Sequence, residues 1–217
     1  MKRKIIGIVF CMLLLVTFFL PVNVIAGDEE NPEITDDIED VLRIPVHNKW
    51  LNARLNAIDI VSVWFAENTA SNQSHTFYVI IKVMDYKNQL LLRTIHSVHW
   101  SYNGTNYYAD LQVQFMLHGL LEVLTNTPYA FGPYGYFRAT VGIDGTSEVN
   151  TIYPVFGNNT ISFVIPKELV GNPKQGDTLT HIWSECAMSF SGNAIIKLIK
   201  DYAPNDTQYG KDYTIQY

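Results

Sequence analysis

Six histidines, a single cysteine outside the N-terminal apolar run and a dense set of aromatic side chains define the chemistry open to this chain. His96 and His99 are near enough to suggest a shared metal ion. On a strand, however, residues three apart point to opposite faces, so the pair cannot ligate one ion without a bulge. His96 falls with Val98 on an apolar face and reads as structural; His99 falls with Ser97 and Ser101 on a polar face and reads as solvated. His47, His75, His118 and His181 are scattered, with no second ligand at useful spacing. No metal site and no cofactor are expected. The one cation left open is a structural calcium clipped to a loop by Asp144 or Asp206, although Asp144-Gly145 is already explained as a turn.

Nucleophilic catalysis finds no footing. There is no Gly-x-Ser-x-Gly elbow, no glycine-rich phosphate cradle, and Cys186 has no partner that sequence identifies. An unpaired cysteine in an exported chain reads as a small buried hydrophobe. Asp59, Asp85, Asp110 and Glu185 are the carboxylates from which a glycoside-cleaving pair would be assembled, but strand ends carry such residues in any β-sandwich. The expectation is a protein that is not an enzyme.

Sugar binding is the sharper hypothesis. Tryptophan and tyrosine faces stack on pyranose rings while planar polar groups read the hydroxyls. Trp183, Tyr107, Tyr129, Tyr134 and Tyr136 are the candidate ligand-binding residues, with Tyr108 also in view; Trp100 reads as core. The stretch Tyr129 to Tyr136 is loop-like and rich in Gly, Pro and aromatics. Exposed, it is a binding surface; buried, it is a cap. Asn-x-Ser/Thr sequons begin at Asn72, Asn103, Asn158 and Asn205, all in expected turns or loops where a glycan fits.

These residues need a frame, and the chain supplies one with a period of two. Val98, Trp100 and Tyr102 alternate with Ser97, His99 and Ser101, and Asn103-Gly104 follows, the pair that best tolerates the φ > 0 of a type I′ hairpin turn. Further strands are expected at 58–65, 75–85, 90–102, 105–115, 134–143, 148–156, 161–165 and 179–190, with 194–199 as strand or helix and a final edge strand at 214–217. Residues 75–85 are apolar on both faces and read as a central strand. Residues 116–133 read as a loop with a short helix at most. Asp144-Gly145 is expected as a second type I′ turn. Pro166 before Lys167 to Val170, with Gly171 after, has the asymmetry of a short helical turn.

The ends set the compartment. Lys2-Arg3-Lys4, the uncharged run Ile5 to Leu20 and the Val-x-Ala ending at Ala26 match a cleaved secretory signal peptide; retention as a membrane anchor is the alternative. Residues 27–40 read as an acidic flexible linker and 41–217 as the folded domain. Fifteen basic and twenty-one acidic residues give −6; losing the three basic residues with the signal segment makes that −9. Eight acids crowd Asp28 to Asp40, while from Val41 onward twelve basic residues oppose thirteen acidic ones. Neither part offers the basic surface that phosphate backbones require, so nucleic acid is not an expected partner.

The stretches Val98-His99-Trp100 with Tyr102-Asn103-Gly104, Pro166-Lys167-Glu168-Leu169-Val170-Gly171-Asn172-Pro173, and Tyr209-Gly210-Lys211-Asp212-Tyr213 together resemble a group of uncharacterised secreted or cell-surface β-sandwich domains of archaea and bacteria. Such domains are often appended to exported proteases or arranged in tandem, and are distantly similar to family-nine carbohydrate-binding and DOMON-type modules. The resemblance covers roughly 58–217 and implies fold and export, with no binding residues carried by it. The reading is an all-β, antiparallel two-sheet sandwich with Greek-key or jelly-roll connectivity. It is secreted or at the cell surface and binds carbohydrate or a surface protein. The alternatives are a structural envelope component and a secreted hydrolase.

Overall fold

The computed structural model describes residues 29–41, 55–67, 75–85, 93–114, 130–132, 135–189, 199–205 and 209–216. The expected signal segment lies outside them, and so does the expected 116–133 loop apart from residues 130–132. Among the described residues no helix is long and apolar enough to cross a membrane.

The described chain is nearly all strand: β1 (Ile34–Thr35), β2 (Ile60–Glu67), β3 (Thr76–Val83), β4 (Arg93–Tyr102), β5 (Thr105–Gln114), β6 (Ala130–Gly132), β7 (Gly135–Ile143), β8 (Val149–Phe156), β9 (Thr160–Pro166), β10 (Thr178–Ser189), β11 (Ile199–Ala203) and β12 (Tyr213–Thr214). Each neighbouring pair among these strands is antiparallel. The strands form one continuous path, β1-β2-β3-β9-β8-β7-β5-β4-β10-β11, with β6 on β7 and β12 on β10. This sheet curls into a half-barrel. β8 carries the path from one arm to the other, since it pairs with both β9 and β7. β2, next to one end of the path, meets β11 at the other where Ile60 N donates to Asp201 Oδ2 at 2.7 Å.

Period-two burial builds the core inside the curl. Phe65 and Phe77 of one arm meet Trp100 of the other edge-on, with centroids 5.9 and 6.0 Å apart. That is the arrangement aromatic quadrupoles favour. Ile182, Ser184, Cys186 and Met188 line the inner face of β10, all fully buried. β3 lies between β2 and β9, and its outer-face residues Tyr78 and Ile80 are buried too, with Trp64 and Ala66, in a second apolar cluster.

The turns follow their chemistry. Asn103 (φ 49) and Gly104 (φ 76) both take the left-handed conformation that a type I′ hairpin requires. At the second turn only Gly145 is left-handed, and residues 144–148 connect β7 to β8. The expected type I′ geometry at Asp144-Gly145 is therefore replaced by a longer loop. Pro166 and left-handed Gly171 bracket a single 3-10 turn, Lys167–Val170.

β1, β6 and β11 depart from the expected pattern. Within the acidic run read as a linker, Ile34–Thr35 forms an edge strand on β2, and Ile34 is buried. Within the stretch 116–133 read as a loop, Ala130–Gly132 forms β6 against β7. Of the stretch 194–199 read as strand or helix, only Ile199 lies in the described residues; it opens β11, where Ile199, Asp201 and Ala203 alternate inward against β10.

Candidate functional site

The solvent face of the β10-β4-β5-β7 arm carries the candidate site. Alternation sends Val98, Trp100 and Tyr102 into the core, so Ser97, His99 and Ser101 face outward. Antiparallel register then lines up Trp183, His99, Tyr108 and Gly142 across four neighbouring strands. Directly opposed side chains are the pairs that touch in a sheet. His99 stacks on Trp183 with ring centroids 3.9 Å apart and planes 6° from parallel. Tyr108 follows at 6.1 Å from His99. Gly142 leaves room for that phenol, since a Cβ there would stand 2.7 Å from Tyr108 Oη and 2.6 Å from Glu148 O.

A bulge deforms the next row. Between Thr180 and Trp183 the register of β10 against β4 shifts: Thr180 opposes Ser101, yet Trp183 opposes His99. His181 absorbs the extra residue with φ 52. A non-glycine residue in that region costs about 1–3 kcal/mol and persists only where its surroundings enforce it, commonly at functional sites. Here Gly210 N donates to Ile182 O at 2.8 Å, and Thr180 Oγ1 lies 3.0 Å from His181 Nδ1. The Tyr209 ring meets the His181 ring edge-on at 4.6 Å. The Tyr-Gly-Lys-Asp-Tyr stretch is thus the clamp on the bulge.

Asp144, freed from a tight turn, brings its Oδ2 to 3.4 Å from His99 Nδ1. Ser101 Oγ donates to Asn106 Oδ1 at 2.6 Å. His99, Ser101, Asn106, Asp144, His181, Trp183 and Tyr209 line a depression of about 270 Å³. A second depression of about 300 Å³ shares His99 and Asp144 and continues over Ser97, Asp110 and Glu185. The two are adjoining parts of one groove along β4, offering hydroxyl, amide, imidazole and carboxylate groups beside aromatic rings. Burial and nearby Asp110 and Asp144 raise the Tyr108 phenol above its usual range, so it stays protonated.

The sequence candidates divide. Trp183 lines the groove. Tyr107 does not: it is 6 % exposed, and its ring packs 6.1 Å from that of Trp100 in the core. The Asn-Gly hairpin explains this, because it pairs Tyr107 with Trp100 and so puts both on one face. Tyr136 sits in β7 opposite Gln114, with its side chain outside the described part; Tyr129 and Tyr134 lie outside the described residues. Asn103, Asn158 and Asn205 are exposed, and Asn72 is outside the described residues. His96 is fully buried on the opposite face from His99, its Nε2 2.9 Å from Ala57 O. Burial lowers its pKa to about 4 and keeps it neutral. Cys186 is buried, and its thiol is pushed well up, chiefly by desolvation. Of the proposed calcium ligands, Asp144 stands against His99 and Asp206 is outside the described residues.

His181, Asn106 and Tyr209 were not singled out by sequence; His99 was weighed as a metal ligand and read as solvated, and Asp144 was named only as a turn residue and possible calcium ligand. The signal for His99 and Tyr108 was the outward half of the hairpin alternation. His181 and Tyr209 converge only through the bulge and the returning C-terminal stretch, which local patterning does not reveal. No family model matches this chain, and neither a curated protein nor a solved structure matches it.

Proposed function

We propose that this chain is an exported, non-catalytic binding module whose groove along β4 takes a hydroxyl-rich extracellular ligand, a carbohydrate in the first instance. In this reading the signal segment directs export, and the two arms of the half-barrel work as the two layers of a β-sandwich, with the groove on one outer face. The observation that carries it is the strained His181 beside the stacked Trp183–His99 pair, with Asp144, Asn106, Ser101 and Tyr209 around the same depression. Strain held in place next to convergent polar groups and aromatics is the mark of a binding site. One Trp183 face is taken by His99, so recognition rests on hydrogen bonding and ring edges more than on a free stacking platform. Binding without catalysis is supported by Ser101, the hydroxyl lining the same depression as the His99–Asp144 pair, which donates to Asn106 and not to a base.

The test is a glycan-array screen of the secreted chain, followed by titration of any hit. Trp183→Ala and Asp144→Asn are expected to weaken binding at least tenfold, as removal of a central anchor or of a charged hydrogen-bond partner of the ligand does. An array without signal, or hits that both variants bind as well as the parent, counts against the reading.

A further inference from the structure

The groove depends on a segment from the other end of the chain. Lys211 N donates to Glu33 O at 2.8 Å, and Gly210 N donates to Ile182 O at 2.8 Å. Contact therefore runs from β1 through residues 210–211 to the β10 bulge that presents His181 and Trp183. The fit is tight: a Cβ on Gly210 would stand 2.6 Å from Ile34 Cγ1 and 2.7 Å from Glu33 O. β1 itself is only two residues long and at the sheet edge, where pairing alone holds little. Asp36 N donates to Val61 O at 3.1 Å, and Phe65 N donates to Glu33 Oε2 at 2.9 Å.

We propose, resting on the reading of the groove as a ligand site, that the β1 segment is a detachable brace: seated, it holds residues 209–211 and the bulge in the binding shape; lifted, it releases both.

The seat is built from acids. Asp36 and Asp40 come from the brace and meet Asp201 of β11, with Asp59 before β2 acting on Asp201 and accepting from Glu39 N at 2.9 Å; Glu33, also from the brace, sits separately against Phe65 and Lys211. Oxygens of Asp36, Asp40 and Asp201 all lie within 4.8 Å of one another. Asp36 Oδ2 and Asp40 Oδ1 are buried and accept no hydrogen bond, while Asn205 Nδ2 donates to Asp40 Oδ2. The Cys186 thiol feels Asp201, Asp36 and Asp59; Lys211 is the cation acting on Glu33. Burial raises Glu33, Asp36 and Asp201 each to about 7, with neighbouring carboxylates adding to it at Asp36 and Asp201 and Lys211 opposing it at Glu33. A raised carboxyl pKa means that the seated form binds protons more tightly than the released form. Seating is then strongest below the ordinary carboxylate range of about 4, weakens as pH rises, and levels off above about 7.

Hydrogen exchange of the full chain in EDTA, expressed as protection factors, tests this between pH 5 and pH 8. The amides of Asp36 and Lys211 are expected to lose protection on the order of tenfold or more across that range, since each pKa unit is a factor of ten. Gly210 and residues 181–183 are expected to follow, with Val98 and Trp100 unmoved. Asp36→Asn, which keeps shape but does not ionise, is expected to lose less protection than the parent between pH 5 and pH 8, with Glu33 and Asp201 still titrating. Gly210→Ala is expected to lose protection of brace and bulge at both pH values while the core stays protected. A bulge that keeps its protection when the brace loses it overturns the proposal, as does an Asp36→Asn chain that titrates like the parent. Brace and bulge opening together in a chain that binds no array glycan would sustain the brace and sink the ligand reading instead.

Discussion

Lys167→Met is the substitution whose effect the fold predicts most sharply. Lys167 Nζ lies 2.7 Å from Glu67 Oε2, and the two side chains are 4 % and 1 % exposed. Tyr213 Oη and Gln216 N donate to the other oxygen of Glu67, at 3.0 and 2.6 Å. This carboxylate therefore ties the 3-10 turn, β2 and the C-terminal stretch together. Methionine fills the stem of the lysine but removes the cation, leaving a buried charge with neutral donors alone. Removing one partner of such a pair costs about 3–5 kcal/mol, and a chain of this size then melts on the order of 10 °C lower. Adding Glu67→Gln removes the stranded charge while keeping an acceptor for Tyr213 and Gln216. The double variant is expected to recover to within about 1–2 kcal/mol of the parent. Urea unfolding with a common slope is the assay. A single variant that loses less than about 1 kcal/mol, or a double variant no better than the single, refutes the reasoning.

The His96 imidazole works against the fold in acid. Its folded pKa is lowered to about 4 against an unfolded value near 6.5, so the unfolded chain binds more protons there between those values and the contribution of His96 to stability falls as pH drops through that window, by about 3 kcal/mol at most. Chemical unfolding of the parent and His96→Gln from pH 7 to pH 4 checks this as a difference, because Glu33, Asp36 and Asp201 titrate with the opposite sign in the same window; the variant is expected to gain on the parent as pH drops, and a constant difference rejects the assignment. Gly104, at φ 76 in an exposed hairpin turn, is expected to lose about 1 kcal/mol on change to alanine through backbone strain alone, because nothing lies within 4 Å of the added Cβ. Equilibrium unfolding showing no loss contradicts the turn assignment.

Local chemistry made much of this fold legible. Strand alternation located β2 to β5 and β7 to β10, and turn residues located Asn103-Gly104 and the Pro166–Gly171 turn, because each signal acts within a few residues. β1 was hidden by its own acids. Ile34 is a single buried aliphatic among carboxylates, and what seats it is long-range pairing with Val63 and backbone contact with Lys211. Residues 200–203 of β11 gave no strand signal because Asp201 turns inward to accept from Ile60, a partner that only the curl supplies. The groove shows the same division. Trp183 was visible as an aromatic on a strand. His99 became its neighbour only once β10 was known to pair with β4, and Asp144 joined them only because its turn is longer than the dipeptide suggested.

Residue-resolved NMR on the ¹⁵N-labelled chain, titrated with an array-selected oligosaccharide, tests the groove most directly. Shifts centred on His99, Trp183, His181 and Tyr209, with the Trp183 indole N–H among the largest, are the predicted result. Shifts centred away from β4 and the β10 bulge, with those four residues silent, would contradict it.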